Sequence, residues 1–348
     1  MNESNFIGWD IGGAHLKVAN VSDEGKILSA EQWATPLWEG LPVLEDALVN
    51  ALKRMPAKGQ SHALTMTAEL TDIFRNREEG VNSIINLCHE ILGTNISFYT
   101  IEYGLKKRNI EDLDFNQIAS ANWHASSAYI ASLIESGLFV DVGSTTTDII
   151  PFYANKIHSR GVNDQTRLRY DELIYTGVIR TPIMALTSKA IFNGELQNIV
   201  NENFATTADI YRILGYLNEY DDLMNTADGE DKSILSSIRR LARILGTDSI
   251  INHDENRWRE LAKYFHEIQL EILTDSIKKV LSTLPKKRHT LVSAGVGHFL
   301  VKKISQRLDI SCITFSELFD CNIGSRHNSN ICAPAVAIAQ LDRLAQLK

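Results

Sequence analysis

One short pattern is written into the chain twice. Phe6-Ile7-Gly8-Trp9-Asp10-Ile11-Gly12-Gly13-Ala14-His15-Leu16-Lys17-Val18-Ala19 runs an apolar strand into a carboxylate, a glycine turn and a second apolar strand. Leu138-Phe139-Val140-Asp141-Val142-Gly143-Ser144-Thr145-Thr146-Thr147-Asp148-Ile149-Ile150 does so again. In each copy Gly follows Asp by two positions, so Asp10-x-Gly12 matches Asp141-x-Gly143. An internal repeat limits the fold more than any single motif, because both copies must build the same kind of unit.

The chemistry of such a stretch follows from its residue types. A strand that ends in Asp and turns back through glycine puts a carboxylate and several bare backbone N–H groups at one rim. Those N–H groups form an anion-binding nest, since glycine lets the backbone approach a phosphate closely. Gly12 and Gly13 in the first copy, and Gly143, Ser144, Thr145 and Thr146 in the second, are therefore the candidate phosphate binders. Lys17 adds a cation. Asp10 and Asp141 would be repelled by phosphate and suit hydrated Mg2+, which takes one or two carboxylates together with water and phosphate oxygens. Two such turns facing each other would grip a polyphosphate from both sides. A lone D-x-G turn is more often an ordinary hairpin; it is the second copy that favours the binding reading.

A chain of 348 residues is long enough for two domains with their own cores. Its 44% hydrophobic and 22% charged residues are those of a globular protein. The net charge of -8 speaks against a nucleic-acid partner, which generally requires a basic face. The N-terminus shows no basic region followed by an apolar core, and no apolar run approaches the roughly 20 residues of a membrane helix. A cytoplasmic protein with small-molecule ligands and no membrane or nucleic-acid partner is expected; a dimer is compatible with this. Cys88, Cys312, Cys321 and Cys332 lack C-x-x-C spacing, so a zinc site with His327 is set aside.

Along the chain, the first hairpin continues into a third strand at about 26–32. Helix 41–54, strand 62–67, helix 79–92 and strand 96–101 complete a βββαβαβ order, that of an RNase-H-like domain. A helix over 117–136 leads into the second copy, followed by a short strand near 156–159 and an irregular, Arg-rich stretch from Arg160 to Ile183. Helices are expected near 207–217, 233–246 and 258–283. A strand at 289–293, the turn Ala294-Gly295-Val296-Gly297, a helix at 298–307, a strand near Cys312 and a last helix over 334–347 close the pattern. The expected division is a first RNase-H-like domain over 1–115 with the C-terminal helix 334–348, and a second over 116–333 with a helical insertion at about 163–285. A cleft between them is where a small-molecule site is expected.

The two D-x-G turns and the later A-G-x-G turn together resemble those of the acetate kinase, sugar kinase, Hsp70 and actin (ASKHA) superfamily. Asp141 to Pro151, Met66-Thr67-Ala68-Glu69-Leu70-Thr71-Asp72, Ala121-Asn122-Trp123-His124-Ala125, Tyr175-Thr176-Gly177-Val178-Ile179-Arg180-Thr181-Pro182 and Thr207-Ala208-Asp209-Ile210-Tyr211-Arg212 narrow the resemblance. They are similar to the hydantoinase/oxoprolinase-like proteins encoded with tetrahydromethanopterin-linked one-carbon pathways. The match runs from Gly8 to Pro334, and Gly is more usual in that family where this chain has Ala68.

The resemblance implies a transferase. Archaeal members include the methanofuran-biosynthesis synthase that joins an aminomethylfuranylmethyl diphosphate to the phenol of γ-glutamyltyramine, with pyrophosphate leaving. In a related cofactor, methylofuran, the aromatic part would be tyrosine-derived. On this reading the turns stabilise the departing diphosphate, Mg2+ rests on Asp10 and Asp141, and Glu69 is the first choice of base for the phenol. A solvated carboxylate capping the next helix is the competing role for Glu69. Arg180 and Thr181 are candidate substrate binders, as are Gly295 and Gly297, which permit close approach of a furan or an adenine. Trp123 has two readings, stacking on an aromatic ring or plain burial. Two other classes stay open: an ATP-dependent small-molecule kinase or hydantoinase-type amidohydrolase, and a non-catalytic actin-like scaffold.

Overall fold

The computed structural model describes residues 5–55, 60–107, 114–248 and 255–347. They form two compact units. The first comprises Met1–Gly137, Phe152–Ser159 and Ile313–Lys348, and the second Leu138–Pro151 and Arg160–Cys312.

In the first unit, β1 (Asn5–Ile11), β2 (His15–Ser22) and β3 (Ile27–Ala34) form the antiparallel meander. α1 (Leu41–Arg54) crosses to β4 (Gln60–Met66), α2 (Arg77–Leu92) to β5 (Ile96–Thr100), and β6 (Gly104–Lys106) folds back on β5. The sheet order is β3-β2-β1-β4-β5-β6, with β1, β4 and β5 parallel. Pro42 lies in the first turn of α1, where its missing N–H costs nothing, and Asn76 caps α2 by accepting from Glu79 N at 2.9 Å.

Strand alternation sorts the core to the two faces of this sheet. Leu64 and Met66 of β4 join Ile7, Trp9 and Ile11 of β1 against Leu44, Leu48, Ile84 and Ile85 of the two crossover helices. Ala63 points the other way, to Ala121, Ala125 and Ile338. That second face is covered by α4 (Asn122–Leu133) and the C-terminal helix. The C-terminal helix lies so close to β1 that a Cβ on Gly8 would stand 1.9 Å from the Ala335 carbonyl oxygen. The run Ala333-Pro334-Ala335-Val336-Ala337 supplies the small side chains this approach needs.

The expected single helix over 117–136 is two, α3 (Phe115–Ile118) and α4. Ser120 breaks it with a φ of 49°. No Gly or Pro marks the break; the cause lies outside the local sequence, in a bond that Ser120 makes to Glu69.

The second sheet has the order β10-β8-β7-β13-β14, with β9 pairing β8. Its strands are β7 (Ser136–Val142), β8 (Thr147–Tyr153), β9 (Lys156–Ile157), β10 (Leu173–Ile174), β13 (Thr290–Ala294) and β14 (Ser311–Thr314). All seven residues of β7 are buried, the apolar run Leu138-Phe139-Val140 at its centre together with the polar Ser136 and Asp141. The Arg-rich stretch contains α5 (Asp164–Arg169) and the short β10. A hairpin of β11 (Lys189–Phe192) and β12 (Glu195–Asn198) follows, turning on Asn193-Gly194 with φ of 54° and 83°.

Among the described residues the insertion also contains the helices α6 (Thr207–Leu214), α7 (Ile234–Ile244) and α8 (Glu255–Leu281). α9 (His298–Leu308) links β13 to β14; α10 (Arg326–Ile331) and α11 (Ala333–Gln346), the C-terminal helix, end the chain in the first unit. A buried ionic network ties the insertion together. Arg240 bonds Asp209 at 2.8 Å and Asp228 at 2.9 Å, and Arg212 bonds Asp209 and Asp222. The Thr207 to Arg212 motif thus holds segment 218–232 against α6 and α7. Among the described residues no helix is long and apolar enough to cross a membrane.

Candidate functional site

The residues singled out from the sequence fall into two sets, one in each unit. In the first unit, Asp10 is the penultimate residue of β1 and is 2% exposed. The hairpin register sets it opposite Lys17, whose Nζ lies 3.8 Å from Asp10 Oδ2. Asn122 Nδ2 is 3.5 Å from Asp10 Oδ1, and its Oδ1 accepts from Trp123 N at 2.7 Å, opening α4. The turn itself closes when Gly12 N donates to His15 O at 3.0 Å. Thr67 and Thr71 border it: their hydroxyls are the side-chain atoms a Cβ on Gly12 or Gly13 would meet.

Glu69 stands just beyond β4 in a short helical turn and is 1% exposed, so it is not a solvated capping carboxylate. Ser120 Oγ donates to its Oε1 at 2.6 Å. Gly80 of α2 backs directly onto the Glu69 main chain, where a Cβ would meet the carbonyl oxygen at 2.5 Å. Ser120 and Asn122 therefore reach two different carboxylates from the head of one helix. The left-handed backbone at Ser120 is the kind of local strain that surrounding structure holds in place at functional sites. Trp123 is buried, with its ring edge-on to His124.

In the second unit, Asp141 ends β7 in the same way, 8% exposed. Gly143 N donates to Thr146 O at 2.8 Å, the bond that Gly12 makes to His15 in the first copy. Two further loops pack onto this turn. Val178 N donates to Gly143 O, and Ile179 N and Arg180 N both donate to Ser144 O, at 2.9–3.1 Å. From the other loop, Gly297 N donates to Val142 O at 2.8 Å. Gly295, at a φ of 80°, sits where a Cβ would be 2.3 Å from Asp141 Oδ1. The A-G-x-G turn thus rests on the strand end that carries the carboxylate.

The predicted binders have distinct surroundings. The guanidinium of Arg180 is exposed and reaches Thr145 Oγ1 at 3.4 Å. Thr181 is buried, and its hydroxyl bonds the N–H and the carbonyl of Gly177. Of the other arginines, Arg167 is buried against Asp148 at 2.5 Å, and Arg160 lies over the Tyr170 ring at 4.0 Å. Ser120, Asn122 and Thr65 are neighbours of the site that sequence reasoning missed. Asn122 lay inside a recognised motif, but nothing in the sequence pairs it with Asp10.

A hard cation at either turn would be carried mainly by its ligand. Among the described residues no three His, Cys, Asp or Glu side chains gather into a metal cage. A cation here would rest on one or two carboxylates and the oxygens of a phosphate, the mode Mg2+ favours. Thr65 Oγ1, next to Asp10 in the β1–β4 register, and Ser144 Oγ in the second turn are enclosed hydroxyls with no hydrogen-bond partner among the described residues. Such hydroxyls suit a phosphate oxygen.

Comparison with known proteins gives a consistent picture. The Hydantoinase/oxoprolinase family model matches residues 60–343. A Methanocaldococcus jannaschii protein named (4-{4-[2-(γ-L-glutamylamino)ethyl]phenoxymethyl}furan-2-yl)methanamine synthase is 30% identical over 339 residues, 97% of each chain. A synthase of the same name from Methanococcus vannielii is 34% identical over 166 residues, covering 47% of this chain and 72% of its own. Among solved structures, an acetone carboxylase superposes with a TM-score of 0.59 at 10% identity, covering 97% of this chain and 70% of its own. A ROK family glucokinase from Streptomyces griseus superposes at 0.50 with 14% identity, covering 97% of this chain and 99% of its own. These likenesses place the two sheets in the two-domain RNase-H-like architecture expected from the strand order.

Proposed function

The chain belongs to the hydantoinase/oxoprolinase family, and from that premise we propose that it is a transferase that builds an aryl furanylmethyl ether. Its substrates on this reading are an aminomethylfuranylmethyl diphosphate and the phenol of γ-glutamyltyramine or of a tyrosine derivative, as in methanofuran or methylofuran assembly. The observation that carries the reading is the near full-length similarity to a synthase whose named product contains a phenoxymethyl-furan. Such a CH2–O bond forms when a phenol oxygen attacks the furanylmethyl carbon and the bond from that carbon to diphosphate breaks.

The residues divide the work accordingly. A furanylmethyl diphosphate ionises readily because the ring stabilises the positive charge left on the carbon, so the main demand is to stabilise the departing pyrophosphate. N–H donors and hydroxyls of Gly12, Gly13, Gly143, Ser144, Thr145 and Thr146 are suited to it, with Lys17 adding charge; one such donor is worth about 2.7–4 kcal/mol in other enzymes. Asp10 and Asp141 would hold Mg2+, which when bound supplies further charge to the leaving group. The phenol, with an ordinary pKa of roughly 10, has to give up its proton, and Glu69 receives it. Arg180, exposed beside the second turn, has the fork that pairs with a glutamyl carboxylate.

The test is to incubate the protein with the furan diphosphate, Mg2+ and γ-glutamyltyramine and follow ether and pyrophosphate by mass spectrometry. Equimolar ether and pyrophosphate, with no requirement for ATP, is the expected result. Phosphate release that depends on ATP, without ether, would overturn the reading in favour of an ATP-driven kinase or amidohydrolase.

A further inference from the structure

The second unit contains a buried chain of polar side chains to which the proposed reaction gives no task. Gln269 of α8 is wholly enclosed. Tyr211 Oη donates to its Oε1, which sets the amide nitrogen toward the loop before Arg180. There Nε2 donates to Thr176 Oγ1 at 2.8 Å and to the Gly177 carbonyl at 2.9 Å. Oxygen and both amide hydrogens thus have partners. The Gly177 carbonyl also accepts from Thr207 Oγ1 at 2.9 Å and from Thr181 Oγ1 at 3.2 Å. Three side chains from three elements converge on one peptide oxygen.

What Gly177 touches gives this convergence a direction. Its Cα is pressed so closely against the turn after Asp141 that a Cβ would lie 2.5 Å from the Ser144 carbonyl and 2.6 Å from the Gly143 oxygen. The next three N–H groups bond those same two carbonyls. A trans peptide is planar, with its C=O and the following N–H pointing opposite ways. Tying back the carbonyls of Gly143 and Ser144 therefore fixes where the N–H groups of Ser144 and Thr145 aim.

We propose that Gln269 is a positioning residue for the second turn: by locking Gly177 it fixes the two carbonyls behind the turn and so aims the Ser144 and Thr145 N–H groups at a diphosphate. The identity of the ligand rests on the proposed function; the positioning does not. A buried glutamine that merely satisfied its own polar atoms would affect overall stability and leave the turn's own opening unchanged.

The experiment compares wild type, Gln269→Leu and Tyr211→Phe, each at a temperature where it is folded. The readouts are the affinity for magnesium pyrophosphate by calorimetry and amide hydrogen exchange over residues 143–147 and 176–181. Gln269→Leu is expected to weaken binding about tenfold and to speed exchange in both segments, as loss of a buried hydrogen-bonded group implies. Tyr211→Phe, which keeps the ring's volume, frees the amide to turn and removes the weaker contact of the hydroxyl with His266 Nδ1 at 3.4 Å; it is expected to do the same more weakly, about threefold. It decides the matter if Gln269→Leu fails to fold. Wild-type affinity and wild-type exchange in the variants would overturn the proposal. Faster exchange in a protein whose wild type binds no pyrophosphate would support the positioning and overturn the diphosphate reading.

Discussion

The two D-x-G turns begin alike and are finished differently. Each closes on a bond from the glycine N–H to the carbonyl three residues on, at 3.0 Å in the first copy and 2.8 Å in the second. Counting from that bond, Lys17 in the first copy corresponds to Asp148 in the second. Lys17 stays beside its own carboxylate, 3.8 Å from Asp10. Asp148 instead pairs with the buried Arg167, which also bonds the Glu172 carbonyl at 3.0 Å and so anchors the segment between β9 and β10. One position thus carries a cation beside the turn's carboxylate in one copy and a structural anchor in the other. The supports differ as well. The first turn is flanked by threonines, whereas the second is backed by the Gly177 and Gly295 loops. A repeat preserves the chemistry of the turn while each copy finds its own means of holding it.

That contrast can be broken at its strongest point first. Gly295→Ala places a methyl at a φ of 80°, 2.2 Å from the Val142 oxygen, and should cost about 4 kcal/mol in denaturant unfolding. Gly13→Ala meets only the Thr71 hydroxyl at 3.2 Å and should cost under about 1 kcal/mol. Equal losses would mean that the turns are supported alike.

Next in size, Arg167→Met leaves Asp148 without its buried partner and is expected to destabilise by about 3 kcal/mol. Lys17→Met, which removes the cation of the first copy's pair with Asp10, should barely change the unfolding midpoint. A pH series adds a third contrast. Burial pulls His266 of α8, beside Tyr211, down to about 4, so it is neutral in the folded protein where an unfolded histidine, near 6.5, would take up a proton. Stability is therefore fully present above pH 6.5 and is lost as pH falls from there toward 4, by about 2 kcal/mol at pH 5. His266→Gln should flatten that slope in urea unfolding measured between pH 7 and 5. The smallest effect is on the ligand: Lys17→Met should weaken magnesium pyrophosphate binding about tenfold, roughly 1.4 kcal/mol, by calorimetry.

Much of this was legible before the fold was known, where the signal is local. The hydrophobic period of α1 and the apolar strand before Asp141 placed those elements to within a residue or two, and the doubled turn marked both carboxylates. What escaped depends on distant residues. Nothing near Ser120 announces a helix break, because the left-handed residue is set by Glu69, 51 positions away in the chain. Gln269 reads as one polar residue on an amphipathic helix, and its partners Thr176 and Gly177 lie more than 90 positions upstream. The four arginines of the 160–180 stretch look equivalent in sequence; packing alone separates Arg167 from Arg180. The Asn193-Gly194 hairpin is different, since its turn signal is local, an Asn-Gly pair between two short strands set among helical patterns.

On the proposed reading each aspartate turn contributes to holding magnesium pyrophosphate. Calorimetric titration of magnesium pyrophosphate into wild type, Asp10→Ala and Asp141→Ala tests this directly, with a circular-dichroism melt confirming that each variant is folded. The account predicts that either substitution alone weakens binding at least about a hundredfold, in line with the weight of one preorganised charge-stabilising group. Wild-type affinity in either folded variant would contradict it.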